Sequence, residues 1–279
     1  MLSHGWSSLA PFVLEKDYTS ITFPLRSKNS AQVLTVSSYK NGVIAESPRA
    51  LDAHSISSVE KIFGFNQKLK SFYTLAKKHR RPWIVKAKMG RLMTAQTVFE
   101  DLIKLILTTN CSWSFTKKMV QNLCTFAGEE VQGLFLFPTP DLLAKKKASF
   151  FSDHIRCGYR GPYISRISKM VASGDIDPEA WLSSKGSAKD LKKHLLSLPG
   201  VGPYVAENMM RFLGYYEGLA TDSWVRGQLQ SMWKLQQLPS DAKIRSEYEI
   251  FDPYQGLMLW CDVTQTWLQS EISTRATKV

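Results

Sequence analysis

The chain has 279 residues, 44% of them hydrophobic and 22% charged, enough to bury one large core or two modest ones. Its 36 Lys and Arg against 24 Asp and Glu leave a net charge of +12, which points to nucleic acid rather than to a membrane or a small metabolite. No apolar run approaches the roughly 20 residues that cross a bilayer. Residues 1–6 lack a basic region followed by an apolar one, so no secretory leader is expected.

In chain order, residues 1–55 read as an N-terminal antiparallel β-domain. Segments 19–25 and 32–36 alternate or are rich in β-branched residues, and Asn41-Gly42 is expected to form a two-residue hairpin loop. Trp6, Phe12, Tyr18 and Phe23 are expected to pack this sheet onto a helical body. Residues 56–279 read as helical. Val59, Ile62 and Phe63, then Leu69, Phe72, Tyr73 and Ala76, recur at three- and four-residue spacing. Segment 97–107 carries Val98, Leu102, Leu105 and Ile106 on one stripe, with Glu100 and Asp101 in the first turn, where the helix dipole favours them. Pro138-Thr139-Pro140 ends one helix and starts another, and 175–178 opens a turn. The basic runs at 77–81, 145–147 and 192–193 read as solvated faces.

The most informative stretch is a helical hairpin at 191–213. Leu198-Pro199-Gly200-Val201-Gly202 ends one helix, and Pro203 starts the next. Gly200 and Gly202 are both expected at positive φ, so that Gly200, Val201 and Gly202 bring bare N–H groups up to a ligand. Those amides stand at a helix N-terminus, which accepts a phosphate without a basic side chain. Asp222 then opens a helix over 225–233, a break follows at 238–241, and 254–268 closes the chain. Asp222 reads either as the N-cap of its helix or as an acid held beside the hairpin.

Leu198 to Gly202 followed by Asp222 resembles the helix-hairpin-helix DNA glycosylase superfamily, whose signature is L-P-G-(V/I)-G with an aspartate about twenty residues on. Gly158-Tyr159-Arg160-Gly161-Pro162-Tyr163 is similar to a G-Y-R-x-x-Y segment of its 8-oxoguanine glycosylases. Phe99-Glu100-Asp101-Leu102, leading to Asn110, is similar to their F-E-x-L helix and asparagine turn. The resemblance spans about 96–224. It implies a mostly α fold of class α+β, with a glycosylase body of two helical subdomains and a small N-terminal antiparallel sheet. It also implies a DNA N-glycosylase of base excision repair that flips a damaged base out of double-stranded DNA. Such a protein is expected to be an intracellular monomer, at the nucleoid of a prokaryote or in the nucleus of a eukaryote.

The resemblance assigns roles residue by residue. Asp222 stabilises the cationic sugar of the transition state. Tyr204 stands eighteen residues before Asp222, where bifunctional relatives carry a Schiff-base lysine, which implies a monofunctional hydrolase. Tyr204 is a candidate pocket wall or a first-turn packing residue. Tyr159 is a candidate wedge, with Arg160 and Asn110 reading the gap left by the flipped base. Trp113 and Trp260 are candidates for an aromatic pocket that holds electron-poor alkylated bases. The backbone carbonyls of Leu196, Leu198 and Val201 are the candidate ligands of a structural sodium or potassium ion.

Only Cys261 lies beyond Asp222, so the iron–sulfur cluster of some relatives is not expected, and no Cys/His grouping has zinc spacing. Phe115 stands where 8-oxoguanine glycosylases carry an arginine, and 254–260 holds no counterpart of their base-sandwiching Gln and Phe. The favoured substrate is therefore an alkylated purine such as 3-methyladenine. The alternatives are 8-oxoguanine, a mismatched base or uracil, and a non-catalytic DNA-binding module.

Overall fold

The computed structural model describes residues 5–27, 30–40, 42–183 and 186–276, with 266–276 as helix backbone alone. β1 (Val13–Leu14), β2 (Ser20–Arg26), β3 (Ala31–Tyr39) and β4 (Gly42–Glu46) form an antiparallel meander in that order. Alternation places Ile21, Phe23, Leu25, Leu34 and Val36 on one buried face. α1 (Ala53–Ile62), capped by Asp52 accepting from the Ser55 amide at 2.7 Å, lays Val59 and Ile62 on that face. The expected boundary at 55 therefore falls inside a helix that belongs to the sheet's own core.

The hairpin loop is shifted by one residue from its expected place. Tyr39 pairs with Gly42, so Gly42 is already strand, Lys40 carries the turn at φ 44°, and Asn41 lies outside the described residues. Of the four aromatics expected to join sheet to body, Trp6 enters the body's core. Phe12 and Phe23 fill the core under the sheet instead, and Tyr18 is half-buried.

The helices follow as α2 (Lys70–Lys78), α3 (Pro82–Lys86), α4 (Val98–Thr108) and α5 (Trp113–Ala127). A small hairpin, β5 (Glu130–Val131) with β6 (Leu134–Phe135), precedes α6 (Pro140–Ala144), α7 (Arg160–Ala172), α8 (Ala188–Ser197) and α9 (Pro203–Phe212). α10 (Ser223–Met232), α11 (Asp241–Tyr248) and α12 (Gln255–Ala276) complete the chain. They divide between two cores. One is built by α4, α5 and α7 to α9, and the other by α2, α3 and α10 to α12. The chain visits the second core early, at Leu69 to Leu92, and returns to it after Asp222. This return leaves a cleft between the two cores, with α9 along one wall and the start of α10 along the other. Arg81, expected on a solvated face, instead forks onto the buried Asp262 at 2.9 Å, and Tyr248 donates to the same carboxylate at 2.9 Å. That triad pins α3 and α11 to α12.

Glu100 and Asp101 occupy the first turn of α4 as expected, and both are buried, as is Lys104 one turn on. Asp101 Oδ1 accepts from Trp6 Nε1 at 2.7 Å and from the Ala95 amide at 2.9 Å, which ties the N-terminal turn to α4. Burial raises its pKa from 3.8 to about 7. Between those values the folded chain binds a proton at Asp101 that the unfolded chain does not, so this group's contribution to stability falls as pH rises through the window. Asp101→Asn keeps an oxygen acceptor for both donors. It should flatten the fall in melting temperature between pH 4 and 7, and an unchanged slope would rule Asp101 out as its source.

Candidate active site

The hairpin is closed by the Val201 amide donating to the Leu198 carbonyl at 3.2 Å. Gly200 sits at φ 73°, and a Cβ there would stand 2.6 Å from the Tyr163 ring, so glycine is required twice over. Gly202 differs from expectation. Its φ is −91° with an extended ψ, and it serves as the N-cap of α9 rather than as a left-handed turn residue. A Cβ at Gly202 would meet nothing within 4 Å. With no side chain at the cap, the first amides of α9 have no side-chain acceptor and keep their partial positive charge for an outside ligand. The Leu198 carbonyl, already accepting from Val201, keeps a second lone pair for a cation; Leu198 and Val201 are buried and the Leu196 side chain is exposed.

Two further turns stand against the hairpin. Asn110, at φ 48°, follows α4, and its Nδ2 donates to the Tyr159 hydroxyl at 3.1 Å. Tyr159 is 52% exposed, and its ring meets Tyr163 edge-on at 6.3 Å. Hydrogen bonding with Thr109 lowers the Tyr159 pKa. The Arg160 guanidinium lies 4.6 Å from that ring but is buried. Its Nε donates to the Thr109 carbonyl at 3.1 Å, Nη1 to the Cys157 carbonyl at 3.3 Å, and Nη2 to Thr109 as well. In this conformation Arg160 is a clasp between the Asn110 and Tyr159 turns, not a group extended toward an orphaned base. Tyr163 then links the clasp to Gly200. One exposed aromatic ring is thus mounted on a rigid corner beside the hairpin.

The cleft between the cores holds a cavity of about 540 Å³. Asp222 lines it and also caps α10, with Oδ1 accepting from the Val225 amide at 2.7 Å. The cap occupies one carboxylate oxygen, so the two readings of Asp222 are compatible. Tyr204 lines the same cavity from the first turn of α9. Burial raises its pKa, and the negative charge of Asp222 raises it further, so the phenol stays protonated at neutral pH. Trp113 and Trp260 both reach the cavity wall. Trp113 stacks on Trp6 at 6.5 Å, and its Nε1 donates to Ser8 at 3.3 Å. Trp260 packs against Trp224 at 6.0 Å. Cys124, Cys157 and Cys261 are free and buried, and Cys111 is a partly buried cavity residue.

Several cavity residues escape motif reading. Asn208 and Arg211 follow Tyr204 at i+4 and i+7, so the three share one face of α9, while Val205, Ala206, Met209 and Met210 are buried. That polar stripe beside the buried apolar face of α9 was the available signal. Trp224, two residues after Asp222, carried no motif at all.

No family model matches the chain. A probable N-glycosylase/DNA lyase of Methanothermobacter thermautotrophicus is 27% identical over 231 residues, covering 73% of this chain and 69% of the relative. The structure superposes on a 3-methyladenine DNA glycosylase of Archaeoglobus fulgidus with a TM-score of 0.73 at 17% identity, covering 96% of this chain and 92% of that one. The relative and the structural neighbour are both DNA glycosylases, in keeping with the superfamily that the hairpin and Asp222 resemble. A second superposition, on the 8-oxoguanine glycosylase/lyase of Clostridium acetobutylicum bound to double-stranded DNA, has a TM-score of 0.69 at 19% identity, with 93% and 91% coverage. The fold of this helix-hairpin-helix protein matches relatives named for two different lesions equally well.

Proposed function

We propose that this chain is a monofunctional DNA glycosylase that hydrolyses the bond between a damaged base and its deoxyribose. The observation that carries the reading is that Asp222 and Tyr204 line one cavity at the root of the hairpin. In the proposed reaction the amides at the start of α9 hold a backbone phosphate, and the target nucleotide turns into the cavity. The bond from C1′ to the base nitrogen breaks with its electron pair on the base. Asp222 stabilises the cationic sugar and orients a water, which adds to C1′ and loses a proton. A sodium or potassium ion held by the Leu196, Leu198 and Val201 carbonyls would reinforce the phosphate contact and belongs to the same proposal.

Tyr204 occupies the place of a nucleophilic amine, and a phenol forms no imine. Borohydride added during turnover should therefore trap no covalent protein–DNA adduct, and product strands should stay intact until alkali is added. A strong trapped band would mean that another amine attacks the sugar.

Tyr159 supports a second step of the reading, filling the gap left by the base. Tyr159→Ala should slow excision from a fully paired duplex far more than from a mismatched or single-stranded one, where unstacking is already cheap. A uniform loss on all substrates, accompanied by a lower melting temperature, would reduce Tyr159 to a packing residue. For the base itself, the tryptophan lining keeps alkylated purines in view through cation–π attraction. Trp260, however, already has the Arg211 guanidinium 5.6 Å from its ring centroid.

A further inference from the structure

Arg211 is 4% exposed and lines the cavity from the last turn of α9. Its Nη1 donates to Asn208 Oδ1 at 3.3 Å, and its Nε is buried with no hydrogen-bond partner. Among the described residues no carboxylate forms an ion pair with it. Glu207, its neighbour on α9, is committed to Lys192, and Asp222 accepts from the Val225 amide. A guanidinium with no carboxylate in ion-pair contact is a costly thing to bury, and burial lowers its pKa to about 10 although the more distant charges of Glu207 and Asp222 act against the shift. It nonetheless remains fully charged at neutral pH. A buried cation kept at the wall of a substrate cavity is best explained by what enters the cavity.

Resting on the glycosylase reading, we propose that Arg211 is a specificity-determining residue that selects neutral damaged bases bearing a carbonyl acceptor and stabilises them as they leave. A neutral base departs as an anion when the glycosidic electron pair moves onto its nitrogen, and that anion takes a proton from solvent afterwards. A fixed guanidinium beside it lowers the barrier at the moment the charge appears. A cationic alkylated purine leaves as a neutral molecule and needs no such help. In its ground state it is repelled by the buried positive charge, more strongly than it would be in bulk water. The guanidinium also donates well to a carbonyl oxygen, as found on oxidised purines and on deaminated bases.

The test compares single-turnover base release from otherwise identical duplexes containing 8-oxoguanine, hypoxanthine, uracil or cationic 7-methylguanine. The wild type should prefer at least one of the carbonyl-bearing neutral bases over 7-methylguanine. Arg211→Met, which keeps length without charge, should cut release of that base by about a hundredfold or more. The same variant should leave affinity for an abasic duplex unchanged and should leave 7-methylguanine release equal or faster. Arg211→Lys, which keeps the charge, should retain the wild-type preference for the neutral base over 7-methylguanine, and this comparison with the wild type stands if the apolar variant fails to fold. A wild-type preference for 7-methylguanine, or an equal loss on both classes in Arg211→Met, would overturn the role of Arg211 while leaving the glycosylase reading intact. Release of no base from any duplex would overturn both.

Discussion

Asp222→Asn is expected to lower the rate of base release by about two to three orders of magnitude, the scale seen when one key electrostatic stabiliser is removed. The melting temperature should move by no more than about 2 °C. These two expectations follow from separate oxygens of one carboxylate. Asp222 Oδ1 accepts from the Val225 amide at 2.7 Å and satisfies the first turn of α10. An asparagine carbonyl does the same job in the same place, so the cap survives. What is lost is the charge that faces the cavity, and with it the stabilisation of a cationic sugar. Single-turnover kinetics on a lesion duplex, beside a thermal melt and a DNA-binding isotherm, separate the possibilities. Wild-type rates in the variant would leave Asp222 as a helix cap and nothing more.

The same substitution at the two hairpin glycines should weaken DNA binding in both cases but lower stability in only one. Gly200→Val places a β-branched residue at φ 73° and drives its Cβ into the Tyr163 ring. Left-handed backbone costs on the order of 1–2 kcal/mol for such a residue, and displacing Tyr163 adds to it. A fall in melting temperature of roughly 5–10 °C is expected, with DNA binding lost because the hairpin is distorted. Gly202→Val meets no neighbour and asks for an ordinary φ, so the fold should be nearly unaffected. Its side chain instead stands at the cap of α9, where a phosphate must approach the backbone. DNA affinity should drop on the order of tenfold, equivalent to ~1.4 kcal/mol, without a change in melting temperature. If Gly202→Val binds DNA as tightly as the wild type does, the hairpin amides do not hold phosphate.

The signals that read well from sequence were those with a local physical cause. A Pro and two Gly between helices announce a hairpin because few residues allow that turn, and Gly200 behaves as read. Alternation in 19–25 and 32–36 revealed the sheet because period two is visible in a short window. The errors have equally physical origins. Gly202 is expected at positive φ because glycine permits it, yet a cap position needs only the absence of a side chain. Glu100 and Asp101 stand in the first turn as read, but their burial is invisible from sequence because nothing in a local window records that Trp6 and the Ala95 amide arrive from elsewhere to satisfy Asp101. The hydrogen bonds that hold Arg160 to Thr109 and Cys157 were likewise invisible, because they join two turns about fifty residues apart. The tryptophans of the cavity come from four separate places in the chain, and only the fold brings Trp6, Trp113, Trp224 and Trp260 to one cleft. Arg211 was hidden for a different reason: a basic residue near a helix C-terminus is ordinary, and its burial is a property of the two cores meeting around it.

The most direct test of the account is chemical identification of what leaves the DNA. Genomic DNA damaged separately by an oxidant, by nitrous acid and by a methylating agent would be incubated with the wild-type protein and with Asp222→Asn. The soluble fraction would then be read by mass spectrometry, and the strands would be sized before and after alkali. The account predicts a free base in the wild-type supernatant, almost none with the variant, and strands that break only once alkali is added. Strand breaks before alkali, or no free base from any of the three DNAs, would contradict it.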